Sequence, residues 1–343
     1  MVSLRMKTYF SPSVYHQQVM KSQHPAMSFQ GGNVQDWQRR ARLRLRKLLG
    51  DRPRVHGRLH ARTLWKRAHD LGTIEKIVFT AEPGADVACY ACLPRDARPP
   101  YRFMICLQGH TTGMHLSIGV TREDETKPMP VEGDRDFALG CLRRGYAALC
   151  IEQRAFGERR EQVQRQRSAL GCFDAAMQAL MLGRTLIGER VYDVERALDY
   201  LESRGDADLR HIGIMGHSAG GATSLYTAAL LPRIAYAMPS GYFCTFRESV
   251  MAMHHCEENY LPGLLRQFEM ADIAGLIAPR PLVLVAGRHD PSFPITATRR
   301  AFRHLQSIYA AAGAANRCRL VVGLEGHRFY ADRAWPVLQQ MKG

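Results

Sequence analysis

No stretch of this 343-residue chain approaches the roughly 20 consecutive apolar residues that a membrane-spanning helix needs, so no membrane span is expected. The N-terminal run "MVSLRMKTYFSPSVYHQQ" has no continuous apolar centre followed by small residues at a cleavage site. It predicts no secretory leader and a cytoplasmic protein. Internal repeats, low-complexity tracts and clear domain linkers are absent, as are nucleic-acid recognition motifs. The nine cysteines are an odd number and sit among apolar neighbours, as in "FMICLQ" and "AALCIE", which suits reduced core thiols rather than a disulfide framework. Only "CYAC" (Cys89, Cys92) has metal-like spacing. In a strand those two positions face opposite sides, and no second pair completes a tetrahedral set.

What is present describes an ordinary folded protein, 46% hydrophobic and 23% charged. Its length exceeds the usual single domain, although one sheet with insertions can fill it. The net charge of +15 is less ordinary, and much of it lies in "WQRRARLRLRKLLGDRPRVHGRLHARTLWKR". Such a run suits nucleic acid, anionic lipid or an acidic substrate. Against that, Trp37, Ala41, Leu45 and Leu48 or Leu49 recur at helical spacing, which makes the arginines the solvated back of a docked amphipathic helix. We therefore expect no nucleic-acid partner. Residues 1–72 read as a basic, largely helical extension and 73–343 as the main domain.

From about residue 73 strand-like and helix-like segments alternate, the pattern of a mostly parallel sheet covered on both faces. Eight strands are predicted: "IEKIVFTAE", "DVACYACLP", "RFMICLQ", "YAALCIE", "HIGIMG", "IAYAMPS", "PLVLVAG" and "CRLVVGL". Helices are predicted at 135–144, 174–203, 219–231, 295–312 and 331–341. The turn signal "PGAD" makes the first two strands an antiparallel pair at the sheet's edge. Two irregular stretches, 111–133 and 241–275, follow strands and are expected to form pocket walls at the carboxyl edge of the sheet. The charged stretch 158–167, "ERREQVQRQR", reads as solvated surface.

One stretch carries chemistry. In "GIMGHSAGG" a serine sits between two glycines, directly after a strand and directly before a helix. An exposed, reactive hydroxyl needs a sharp strand-to-helix turn, which small residues two before and two after the serine permit; Gly216 and Gly220 hold those places around Ser218. The hydroxyl needs a histidine to take its proton and an acid to fix that histidine's tautomer. Among fourteen histidines, His327 follows the last strand in a glycine-flanked turn. His217 is expected to point elsewhere, His289 adjoins the candidate acid, and His304 reads as helix surface. Asp290 lies just beyond the penultimate strand in "PLVLVAGRHDPSFP", while the strand before it ends in "PSGYFCTF", which offers no carboxylate. A helix-capping role near Pro294 is the competing reading of Asp290. Oxyanion donors are expected from the backbone N–H of Ala219 and from "LQGHTTG", with His110 preferred and Thr111 as fallback.

With these features on the page, the chain resembles an α/β hydrolase, and more narrowly the acetyl-xylan-esterase-like and dienelactone-hydrolase-like branch. "LQGH", "DFALGCLRRGYAALCIEQRAFGER", "DVERALDYLESRGDADLRHIGIMGHSAGG", "APRPLVLVAGRHDPSFP" and "GHRFY" carry the resemblance, over roughly residues 100–341. The order Ser218, Asp290, His327 is the one that superfamily uses. Two departures stand out: Gln108-Gly109 replaces the His-Gly many relatives have, and Glu152 stands near where they have an aspartate. The resemblance implies an α/β-hydrolase fold and a cofactor-free serine hydrolase acting on a small-molecule carboxylic ester, with an acetyl ester as one candidate. Amide or thioester cleavage and acyl transfer use the same triad, and a non-catalytic binding protein on this fold is the alternative from another class. The residues "HHCEENY", His254 to Tyr260, invite a metal reading, but adjacent side chains diverge on a helix and the triad needs no metal. No metal or cofactor is expected.

Overall fold

The structure, a computed structural model, describes residues 10–52, 57–110, 112–161 and 171–342. Thr111 and residues 162–167 of the charged stretch lie outside the described residues. Nine strands form one sheet: β1 (Arg62–His69), β2 (Gly72–Glu82), β3 (Ala85–Pro94), β4 (Phe103–Leu107), β5 (Ala147–Ile151), β6 (Gly213–His217), β7 (Tyr236–Ser240), β8 (Leu282–Gly287) and β9 (Cys318–Gly323). Their order is β1-β2-β3-β5-β4-β6-β7-β8-β9. The pairings from β5 to β9 are parallel, and β1, β2 and β3 join as an antiparallel limb. This is the α/β-hydrolase architecture.

Continuous apolar runs make the central strands. "FMICL" and "AALCI" are buried at every position, as a parallel strand covered on both faces must be. Between β2 and β3, Pro83 and Gly84 form the turn, with Gly84 supplying φ +81°. The ninth strand is β1, inside the segment expected to be largely helical. Its residues are exposed or half-buried, so it carries no apolar alternation by which to recognise it.

One face of the sheet is covered by α2 (Val34–Leu48), α5 (Leu186–Arg204), α6 (Ala219–Leu230), α7 (Met270–Gly275) and α8 (Ile295–Ala311). The other carries α3 (Phe137–Leu142) and α9 (Ala331–Lys342). Cys89 packs into the first layer and Cys92 into the second, so the CYAC thiols face apart as strand geometry requires. Two further helices among the described residues are α1 (Pro12–Lys21) and α4 (Phe173–Met181). The helix expected over 174–203 is thus two, α4 and α5. Gly183 at φ +73° turns the chain, and Thr185 caps α5 by accepting from the Gly188 N–H at 3.1 Å.

The basic N-terminal helix is docked as the spacing predicts. Trp37, Ala41, Leu45 and Leu49 are buried in the main core, and the Trp37 indole donates to the Met27 carbonyl at 2.8 Å. Burial of each large side chain contributes about 1.5–3 kcal/mol, which anchors the helix despite its charge. Among the described residues no helix is long and apolar enough to cross a membrane.

Candidate active site

Ser218 ends β6 and starts α6 with φ 56° and ψ −119°, a strained conformation for a residue with a Cβ. The flanking glycines are sterically required. A Cβ on Gly216 would lie 2.3 Å from the Gly220 carbonyl oxygen, and one on Gly220 would lie 2.1 Å from that of Leu107. The Ser218 N–H donates to the Ser240 carbonyl at 2.9 Å, tying the turn to β7.

His327 follows β9 and Asp290 follows β8, and their turns are stapled together. The Arg288 N–H donates to the Gly323 carbonyl and the His289 N–H to that of Glu325, both at 2.9 Å. The His327 Nδ1–H then donates to Asp290 Oδ2 at 2.7 Å, on a carboxylate side chain only 1% exposed. Asp290 Oδ1 accepts from the backbone N–H groups of Ser292 and Phe293 at 2.9 and 3.2 Å. Asp290 thus meets His327 with one oxygen and the turn ahead of α8 with the other; it does not cap that helix, whose N-cap is Pro294 with no side-chain cap bond.

Ser218 and His327 border one cavity of about 610 Å³, a size suited to a small ligand. Gly109, His110, Glu132, Arg135, Glu325 and Arg328 also line it, which makes it markedly polar. Of the two expected pocket walls, 111–133 contributes Glu132 and Gly133. The 241–275 stretch instead packs behind His110 through Glu258, and comes close to His327 at Gly241. At φ +58°, a Cβ there would fall 2.9 Å from His327 Cε1.

His217 does not point away, contrary to expectation. It lines the cavity with its ring 4.5 Å from that of His327, and its Nδ1 meets Ser240 Oγ at 3.1 Å. Burial, then the nearby His327 and Arg135, hold its pKa well below the usual histidine range. A neutral imidazole there adds no positive charge against a protonated His327. His304 is not bare helix surface either: its Nε2 lies 2.9 Å from the buried Asp272 carboxylate.

The Gln108-Gly109 departure has a packing logic. Gln108 Nε2 donates to Ser117 Oγ and to the Arg135 carbonyl, at 2.8 and 2.7 Å. The Gln108 carbonyl in turn accepts from Gln153 Nε2 at 2.6 Å, and Gln153 Oε1 from Thr223 Oγ1 on α6 at 2.6 Å. These amides fasten the loop after β4 to the helix after Ser218, and a Cβ on Gly109 would lie 3.2 Å from Ser218 Cβ. Glu152 is buried and accepts from the Met114 and Glu158 N–H groups at 3.1 and 3.2 Å. Burial outweighs these bonds and raises its pKa to about 7.

His110 adds a feature the sequence did not reveal. Its Nε2 lies 2.8 Å from Glu258 Oε1, in a carboxylate with a fully buried side chain. Burial lowers the His110 pKa, but the Glu258 charge and the hydrogen bonds to Cys172 and Glu258 together outweigh it and lift the pKa to about 9.

A family model described as Abhydrolase family matches residues 4–310. The chain belongs to that family. The match takes in Ser218 and Asp290 and ends before His327, whose place rests on the geometry above. YtaP of Bacillus subtilis (strain 168), provisionally described as a hydrolase, is 30% identical to this abhydrolase over 186 residues, 53% of this chain and 60% of YtaP. The matched stretch thus spans less than two thirds of that relative. Among solved structures, a Bacteroides fragilis NCTC 9343 protein provisionally described as an acetyl xylan esterase superposes with a TM-score of 0.75 at 16% identity, over 93% of the abhydrolase and 84% of that chain. A glucuronoyl esterase from Solibacter usitatus gives 0.64 at 15%, over 93% and 96%. At such identities the likeness is one of fold.

Proposed function

We propose that this abhydrolase cleaves a carboxylic ester through an acyl-enzyme on Ser218. The observation that carries the reading is the 2.7 Å bond from His327 to Asp290 beside a serine held in a strained strand-to-helix turn on the same cavity. His327 Nε2 takes the Ser218 proton as Oγ attacks the carbonyl, and Asp290 fixes the tautomer and stabilises the imidazolium. The N–H of Ala219, first in α6 and so without an intrahelical acceptor, and the N–H of His110 receive the oxyanion. His327 returns the proton to the leaving alcohol, and water then attacks the acyl-enzyme by the reverse path.

The charged lining of Glu132, Arg135, Glu325 and Arg328 favours a hydroxyl-rich, sugar-like alcohol over a lipid. The esterase descriptions of the structural neighbours agree with that, and an acetyl ester is the simplest acyl group. The test is labelling with a serine-directed phosphonate, followed by peptide mapping. We expect one label on the Ser218 peptide and none in Ser218→Ala. Label on another residue, or none on folded protein, refutes the reading.

A further inference from the structure

His110 after β4, Cys172 at the start of α4, and Cys256 and Glu258 of the 241–275 insertion present one ligand atom each, all within 4.8 Å of one another. The Cys172 sulfur lies 3.4 Å from Glu258 Oε2 and 3.9 Å from His110 Nε2. In a tetrahedral zinc site with bonds of about 2.0–2.3 Å, neighbouring ligand atoms stand about 3.3–3.8 Å apart. The four atoms are already close to that spacing.

We propose that these four side chains form a zinc site. Two thiolates, an imidazole and a carboxylate make a borderline-soft set that suits zinc and disfavours magnesium or calcium. Binding displaces the two thiol protons and any proton on His110 Nε2, and it replaces the direct His110–Glu258 bond with two bonds to the metal.

The surroundings are built for such a charge. Arg190 is fully buried; its Nε and Nη2 donate to the Arg154 carbonyl, and its Nη1, 3.9 Å from Glu258 Oε1, has no hydrogen-bond partner. Two thiolates and the Glu258 carboxylate carry three negative charges, which a divalent cation and the Arg190 guanidinium cancel; the Glu257 carboxylate, which accepts from the Cys172 thiol at 3.1 Å, loses that bond when the thiolate forms and turns to solvent. Ala155, Ala176 and Leu186 close a small apolar cluster around the two sulfurs. Four protein ligands leave no open position, so the metal is structural and takes no part in acyl transfer. Its effect is to join three chain segments distant in sequence, and to pin the His110 ring and with it the loop that passes Ser218.

The site revises the expectation of a metal-free chain, and it shows why "HHCEENY" misled. Only Cys256 and Glu258 of that run point to the site, and their partners come from elsewhere in the chain.

The test uses the full chain, expressed in zinc-supplemented medium and purified under reducing conditions. We expect one zinc per chain by elemental analysis, and on cobalt exchange a thiolate-to-metal charge-transfer band with tetrahedral visible bands. Cys172→Ala and Cys256→Ala should each lower zinc occupancy at least about tenfold. Cys150→Ala should not, because that thiol belongs to the opposite face of the sheet. A folded wild type that holds no zinc and gives no cobalt–thiolate band overturns the proposal without recourse to variants. So does full zinc occupancy in both variants, or a Cys172–Cys256 disulfide in place of metal.

Discussion

Asp290 uses its two oxygens for separate tasks, and substitutions can part them. Asn keeps an oxygen for the Ser292 and Phe293 N–H groups but presents an amide to His327 Nδ1, forcing the wrong tautomer. Asp290→Asn should therefore lower kcat about 10⁴-fold with a nearly unchanged melting temperature, whereas Asp290→Ala should lose activity and stability together. An Asp290→Asn enzyme within about tenfold of wild type would place the orienting acid elsewhere. Glu152 is a second residue with a readable consequence. Its folded pKa of about 7 lies above the ordinary 4.5, so the folded chain holds that proton more tightly than the unfolded one. This stabilisation is complete below about pH 4.5 and is lost as pH rises through about 7. Glu152→Gln cannot titrate. Between about pH 5 and pH 8 its stability should gain on wild type by up to about 3 kcal/mol in urea titrations, and a constant difference would show that Glu152 stays ionised throughout.

At the level of elements, the basic run on α2 divides by task. Arg42 Nε donates to the Ala229 carbonyl at 3.1 Å and Arg46 Nη2 to that of Leu230 at 3.2 Å, satisfying the last turn of α6. Arg39 faces solvent, paired with Asp36. None of these arginines lines the cavity, and the cations that do are Arg135 and Arg328. Arg328 is already paired with Glu325 and Asp134, while among the described residues no carboxylate lies in ion-pair distance of Arg135. Charge reversal at Arg39, Arg40 and Arg44 should leave the kcat/KM ratio of matched carboxylate-bearing and neutral esters unchanged. Arg135→Gln should lower that ratio severalfold, and salt should erode the wild-type preference as screening within ~10 Å sets in at 0.1 M. An unchanged ratio in Arg135→Gln would remove this residue from substrate selection. Elements with a strong local signal were legible in the sequence: the β6–Ser218–α6 turn needs glycines at fixed places, and α2 shows its buried stripe. The break before α5 was less visible, since Gly183 and Thr185 are short signals inside an apolar, helix-prone stretch. The convergence of His110, Cys172, Cys256 and Glu258 was not legible at all, because no local rule links residues that only the folded chain brings together.

For the whole molecule, sheet order decides where the cavity and the proposed triad lie. Gly109, Ser218, Asp290 and His327 all follow the carboxyl ends of parallel strands, while the antiparallel limb of β1, β2 and β3 contributes no residue to the cavity lining. That limb ends in β1, which among the described residues pairs with β2 alone, so that within them one row of its backbone N–H and C=O groups has no strand beside it. An open row of this kind is a template on which another copy of the chain can extend the sheet. Here it is guarded. Arg62, Lys66, Arg67 and His69 stand along β1, and its register slips between Thr63 and Trp65, so an approaching strand meets like charge and a kinked ladder. Replacing Lys66 and Arg67 with Val should leave dilute activity intact but raise light scattering as concentration increases, and unchanged scattering would show the guard lies elsewhere. Part of the +15 net charge would then serve neither nucleic acid nor substrate. It would set the concentration at which copies of this protein stop behaving as separate molecules.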